Sequence, residues 1–105
     1  MATRRASRLA ALDEHTAAHV AELFRAFSDT SRVRNLFALT TRELNVNALA
    51  ELVGISESAV SHHLRSLRQM ELVVARREGK EVYYRIEDDH IISLFGEGVK
   101  HVQYG

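Results

Sequence analysis

Ser56-Glu57-Ser58-Ala59-Val60-Ser61-His62-His63-Leu64-Arg65-Ser66-Leu67-Arg68-Gln69-Met70 reads as a helix with two unlike faces. Val60, Leu64 and Leu67 recur at i, i+4 and i+7 and form one apolar stripe for a core. Ser58, Ser61, His62, Arg65, Arg68 and Gln69 make the opposite face, which suits a polar, anionic surface. Upstream, Val46 to Val53 reads as a short helix with Leu49, Leu52 and Val53 inward, and Gly54-Ile55 breaks it, as glycine does just past a helix end. Ser56 then serves as N-cap of the next helix. A helix, a short turn holding a glycine and a second helix with a Ser/Arg/Gln outer face form the helix-turn-helix pattern, whose second helix enters the DNA major groove.

Working outward, Leu72 to Ile86 holds two β-branched or aromatic runs around a turn with Gly79, which reads as a β-hairpin. Arg76, Arg77 and Lys80 sit near its tip. A basic hairpin directly after a recognition helix is a wing that reaches flanking phosphates or the minor groove. Tyr83 and Tyr84 alternate along a strand, so one belongs to the core and the other to the wing surface. The expected fold is mainly α with a small β-hairpin wing (α+β), a winged helix-turn-helix.

On the other side of the quoted stretch, residues 1–8 are polar and basic, with Arg4, Arg5 and Arg8, and are expected to form a flexible arm. Residues 9–105 form one DNA-binding and dimerisation domain. Leu9, Leu12, Thr16, Val20, Leu23, Phe24 and Phe27 keep helical spacing, predicting a first helix from about Leu9 to Phe27. Ser28-Asp29-Thr30-Ser31 offers caps for a second helix, Arg32 to about Leu39, burying Val33, Leu36 and Phe37. Leu44-Asn45-Val46 is a short extended link. The last helix, Asp89 to about Gln103, aligns Ile91, Leu94, Phe95, Gly98 and Val102. Gly96 and Gly98 each cost a helix interior about 1 kcal/mol relative to Ala, which makes sense where two helices approach closely. The first and last helices exceed what a helix-turn-helix core needs, so both are assigned to a homodimer interface.

Composition narrows the function classes. The 105 residues contain no cysteine, which removes disulfides, thiolate metal sites and cysteine catalysis. No apolar run approaches the about 18 residues of a membrane span, and no signal peptide is evident, so a cytoplasmic protein is expected. Fourteen basic and fourteen acidic side chains cancel, unlike a general nucleic-acid coat. The charge is uneven along the chain: Arg65, Arg68, Arg76, Arg77, Lys80 and Arg85 outnumber the acids between Ser56 and Arg85, and Glu87-Asp88-Asp89 follows as an acidic spot. DNA affinity is therefore expected to need two subunits and to fall with salt. Ser58, Ser61, His62 and Arg65 are the expected groove residues, with Arg68, Arg76, Arg77 and Lys80 on phosphates and Ser56 a further DNA-binding residue. The operator is expected to be palindromic, with half-sites about one helical turn apart.

Asp88, His90 and His101 are ligand types for zinc and neighbouring ions. His90 and His101 share one helix face but lie roughly 16 Å apart along its axis, so one ion cannot hold both. Two last helices crossing antiparallel about a two-fold axis would bring Asp88 and His90 opposite His101 of the partner subunit. Each residue also has an ordinary role where it stands: Asp88 as cap, His90 in the first turn, His101 near the helix C-terminus. His15 and His19, at i, i+4 beside Asp13 and Glu14, have chelating spacing or are a solvated pair. A small metal-dependent hydrolase is disfavoured, because no nucleophile-base pair or phosphate-cradling glycine loop accompanies these ligands.

The run Leu52 to Arg68 and the wing Glu78-Gly79-Lys80-Glu81-Val82-Tyr83-Tyr84 resemble the ArsR/SmtB family of winged-helix metal-sensing repressors, over about Val20 to the C-terminus. The Asp-x-His start of the last helix, with a His eleven residues on, is similar to the zinc- and cobalt-sensing subgroup. The resemblance implies a homodimer that blocks a promoter when metal-free and leaves DNA when metal binds Asp88, His90 and His101. Zinc is the expected regulatory ligand, with cobalt or nickel as alternatives. The family pattern adds a His or Glu three residues after the last His; here that position is Tyr104, and Glu97, one turn before His101, is another donor. A same-family regulator answering a non-metal signal, or none, is the competing expectation. No membrane, no organic substrate and no enzymatic activity are expected.

Overall fold

A computed structural model describes residues 11–105, and the expected basic arm lies outside the described residues. The elements run α1 (Glu14–Ala26), α2 (Thr30–Leu39), β1 (Leu44–Asn45), α3 (Val46–Val53), α4 (Glu57–Gln69), β2 (Val74–Glu78), β3 (Glu81–Arg85) and α5 (Asp89–Tyr104). Each helix starts on a short polar side chain that takes a backbone N–H otherwise left without a partner. Asp13 accepts from Thr16 at 2.9 Å, Asp29 from Arg32 at 3.0 Å, Asn45 from Ala48 at 2.8 Å, Ser56 from Ala59 at 3.0 Å and Asp88 from His90 at 2.8 Å.

The caps shift two predicted boundaries. In the described residues α1 begins at Glu14, because Asp13 caps it, and Leu12 stands before that cap and is exposed. Leu9 is outside the described residues. Asp29 likewise starts α2 at Thr30, ahead of the expected Arg32. Gly54 ends α3 with φ 80°, a left-handed conformation that costs glycine little.

The extended link forms the third strand of an antiparallel sheet ordered β1-β3-β2. Leu44 pairs with Tyr84 and Asn45 with Tyr83, while Val74 to Glu78 pair with Arg85 back to Glu81. Gly79 opens the two-residue hairpin turn with φ 62°, as the first central position of a type II′ turn requires.

The core is centred on the helix-turn-helix. Leu36 and Leu39 of α2, Leu49 of α3 and Val60, Leu64 and Leu67 of α4 are at most 1% exposed. Leu72, Val73, Ile86, Ile91 and Phe95 complete it, and Tyr84 packs against its edge. Phe27 meets Phe95 edge-on with ring centres 4.8 Å apart, joining α1 to α5.

Several residues predicted to be buried instead face outward. Phe37 is 45% exposed and Leu52 50%, because α2 turns Asn35, Leu36 and Leu39 inward and α3 turns Leu49, Ala50 and Val53 inward. Phe37 and Leu52 line one open groove with Val33 and Val99. Phe24 and Val102 line a neighbouring groove between α1 and α5 with Phe27, Leu94, Phe95 and Gly98. A Cβ on Gly96 or Gly98 would meet nothing within 4 Å, so no other part of the described chain closes on them. The apolar stripe of α5 thus runs beyond its own subunit's core.

Candidate functional site

Helix α4 presents its polar face as predicted. Ser58, His62, Arg65, Arg68 and Gln69 are exposed and Ser61 is partly so. Ser61, Arg65, Arg68 and Gln69 line an open groove whose far wall includes Tyr84 of β3. Among the described residues no carboxylate pairs with Arg65 or Arg68 within 4.0 Å, so both cations face outward uncommitted. Ser56 is exposed, but its Oγ accepts the Ala59 N–H. Its hydroxyl proton remains available to donate.

The wing divides its basic residues into two kinds. Arg77 and Lys80 are exposed at the tip, with no ion-pair partner among the described residues. Arg76 is held as a fork: its Nε donates to Glu43 at 3.0 Å and its Nη2 donates to the same carboxylate at 2.9 Å. The Arg76 guanidinium also lies 5.1 Å from the centre of the Tyr83 ring. Arg85 reaches Glu43 at 3.4 Å and bonds Glu87. The Arg76 hydrogen bonds hold the Glu43 carboxyl below the usual range, and the same bonds hold Arg76 above its ordinary value. Arg76 is therefore a structural strut between the wing and the segment before α3. Sequence reasoning missed this role, since Glu43 lies 33 positions from Arg76 and no local pattern links them.

Behind α4 lies a contact that the sequence did not show, between residues 28 positions apart, although His63 itself was expected at the core edge. Asn35, fully buried, places Nδ2 3.1 Å from His63 Nδ1, and Asp29 Oδ2 lies 3.9 Å from His63 Nε2. Asn35 Oδ1 is buried without a partner. Burial pushes the His63 pKa down, against the pull of Asp29. His63 thus belongs to the core edge, and His62 alone of the pair is exposed.

At the last helix, Asp88 and His90 converge. Asp88 Oδ1 caps α5 and also lies 3.2 Å from His90 Nδ1, with the His90 side chain 98% exposed. His101 is exposed near the other end of α5, Tyr104 is 84% exposed, and Glu97 faces Lys100 at 3.8 Å. Among the described residues of one chain, no three His, Asp or Glu gather into a metal cluster. Asp88 and His90 at one end of α5 and His101 at the other are all exposed, and are donor types that suit a divalent ion. His15 and His19 stand apart on α1, with ring centres 4.4 Å apart.

A helix-turn-helix with an outward Ser/His/Arg face, followed by a basic-tipped hairpin, defines a winged helix-turn-helix, a fold of DNA-binding regulators. Residues 29–74 match the bacterial regulatory protein arsR family. The chain is 47% identical over 87 residues to a transcriptional repressor SmtB homolog of Synechocystis, covering 83% of this chain and 66%, just under two thirds, of that protein. It is 40% identical over 95 residues to the HTH-type transcriptional regulator NmtR of Mycobacterium tuberculosis, covering 90% of this chain and 79% of NmtR. A solution structure from Mycobacterium bovis, described as a homodimeric winged helix-turn-helix DNA-binding domain, superposes with TM-score 0.74 at 30% identity, covering 91% of this chain and 95% of that one. The chain belongs to the arsR family. These relatives are transcriptional regulators rather than enzymes. No helix among the described residues is long and apolar enough to cross a membrane.

Proposed function

We propose that this chain is a metal-responsive transcriptional repressor that binds palindromic operator DNA as a homodimer and is released when a divalent ion, zinc first, binds between the last helices. The observation that carries this reading is the convergence of Asp88 Oδ1 and His90 Nδ1 at 3.2 Å on an exposed helix start. His101 lies eleven residues on along the same helix, and that helix carries an apolar stripe its own subunit leaves open. The resemblance of this Asp-x-His and His pattern to the zinc- and cobalt-sensing subgroup supports it.

In the DNA-bound state Ser58, Ser61, His62 and Arg65 face the major groove, where Arg65 reads guanine by a bidentate contact. Ser56, Arg68, Arg77 and Lys80 contact phosphates. Arg76, committed to Glu43, sets the wing angle. Asp88 and His90 of one subunit face His101 of the partner subunit, and Glu97 or water supplies a further donor in place of Tyr104. Bound there, the ion adds coordination bonds across the subunit interface. Protons compete with the ion for its nitrogen and oxygen donors, so the response weakens in acid. Release requires only that the ligated arrangement of the two α5 helices differ from the one that seats both recognition helices. By linkage, DNA weakens metal binding by the same factor.

The test is fluorescence anisotropy of the dimer on its own upstream promoter, with and without zinc at fixed salt. Zinc should weaken binding by roughly tenfold or more, a coupling of about 1.4 kcal/mol, within the usual range. His101→Ala should keep DNA affinity and lose the zinc response. Tight DNA binding indifferent to zinc, cobalt and nickel would retire the last-helix assignment in favour of a non-metal signal.

A further inference from the structure

We propose that His15 and His19 form a separate transition-metal site on α1, of the imidazole-preferring class that includes Ni²⁺, Cu²⁺ and Zn²⁺. The two rings lie on one face of α1 with centres 4.4 Å apart. An ion about 2.0–2.1 Å from one nitrogen of each ring holds ring centres roughly 4.5–5 Å apart, so the observed ring spacing is compatible with a chelate. Both side chains are exposed, as is Glu14 beside His15, while Asp13 is already engaged in capping. Glu22 and Glu71 line a common groove with His19.

The site is a bidentate chelate completed by water, since no three such ligands cluster among the described residues. It is independent of Asp88, His90 and His101, which belong to another helix. From Asp13 to Glu22 only Ala17 is less than exposed, so this half of α1 depends on its cap and its own hydrogen bonds. A bridge across one turn stabilises that half directly, because metal binding free energy adds to helix formation. It acts on the helix that carries Val20 and Phe24, two of the apolar residues left open by the single chain.

The experiment uses the full chain in a His101→Ala background, so that failure of the last-helix reading leaves it intact. Ni²⁺ is titrated by calorimetry, and amide broadening by the paramagnetic ion is read by NMR. The expected result is binding with broadening centred on residues 13–22, and loss of roughly tenfold or more in Ni²⁺ affinity when His15→Ala and His19→Ala are added. Alanine is the better helix former, so α1 persists in that variant, which circular dichroism verifies. Unchanged Ni²⁺ affinity in the variant, or broadening centred on another segment, overturns the site.

Discussion

His63 occupies a position where burial and charge oppose each other. Its ring is held against Asn35, which is buried, and only the more distant Asp29 favours the protonated form. Because burial depresses the folded-state value below the unfolded about 6.5, the associated stability is complete above that value. It is lost as pH falls through the folded value, since the unfolded chain binds the proton more readily. Urea unfolding at pH 7 and pH 5 should therefore show a larger acid loss for the native chain than for His63→Gln. Equal losses would remove His63 from the account. Arg76 and Arg77 of β2 separate in the same way by their partners. Arg77→Ala should weaken operator binding and reduce the salt slope by about 1, whereas Arg76→Ala should mainly loosen the wing that Glu43 braces. If Arg76→Ala instead lowered the salt slope as Arg77→Ala does while leaving the fold intact, Arg76 would be a phosphate contact after all. The sequence identified every basic residue of the wing but not this division, because charge type is local and the partner is 33 residues away.

Among the elements, the recognition helix and wing were legible because their signals are local. Ser56, Gly54 and the Val60, Leu64, Leu67 spacing each act within a turn or two, and the structure returns α3 and α4 within a residue of the expected limits. The start of α1 was less legible, since apolar spacing continues upstream past the cap that ends the described helix. Phe37 and Leu52 were misassigned for a related reason: helical spacing identifies an apolar residue near a stripe, not which neighbouring surface receives it. The turn after α4 was not anticipated at all. There Glu71 has φ 61°, while Leu72 N–H bonds Leu67 O at 2.9 Å. A non-glycine residue in this left-handed conformation costs about 1–2 kcal/mol, and glycine gives back about 0.4–1 through its greater unfolded-state freedom. Glu71→Gly should thus stabilise the domain by about 0.5–1 kcal/mol, read as a higher denaturation midpoint. A lower midpoint would mean that the Glu71 side chain contributes more than its backbone costs.

For the whole molecule, shape and apolar exposure point the same way. The radius of gyration is 16.4 Å, against about 13 Å for a compact 100-residue domain. The excess accompanies a 52 Å long axis and helices α1 and α5 whose apolar residues outrun the core. Phe24 is 52% and Val102 84% exposed, and both line the groove that also holds Gly98. A second copy buries such a surface on each subunit at once, because a two-fold interface is self-complementary. It also fixes the spacing of two recognition helices, without which neither half-site contact reinforces the other. Phe24→Glu places a charge in that groove without touching α4 or the wing. It should convert the proposed dimer to monomer in sedimentation, retain the far-ultraviolet helical signal and bind an isolated half-site weakly. Binding to the full operator should fall and lose its dependence on half-site spacing. A Phe24→Glu protein that still sedimented as a dimer with undiminished operator affinity would place the subunit contact elsewhere, and with it the partner of Asp88 and His90.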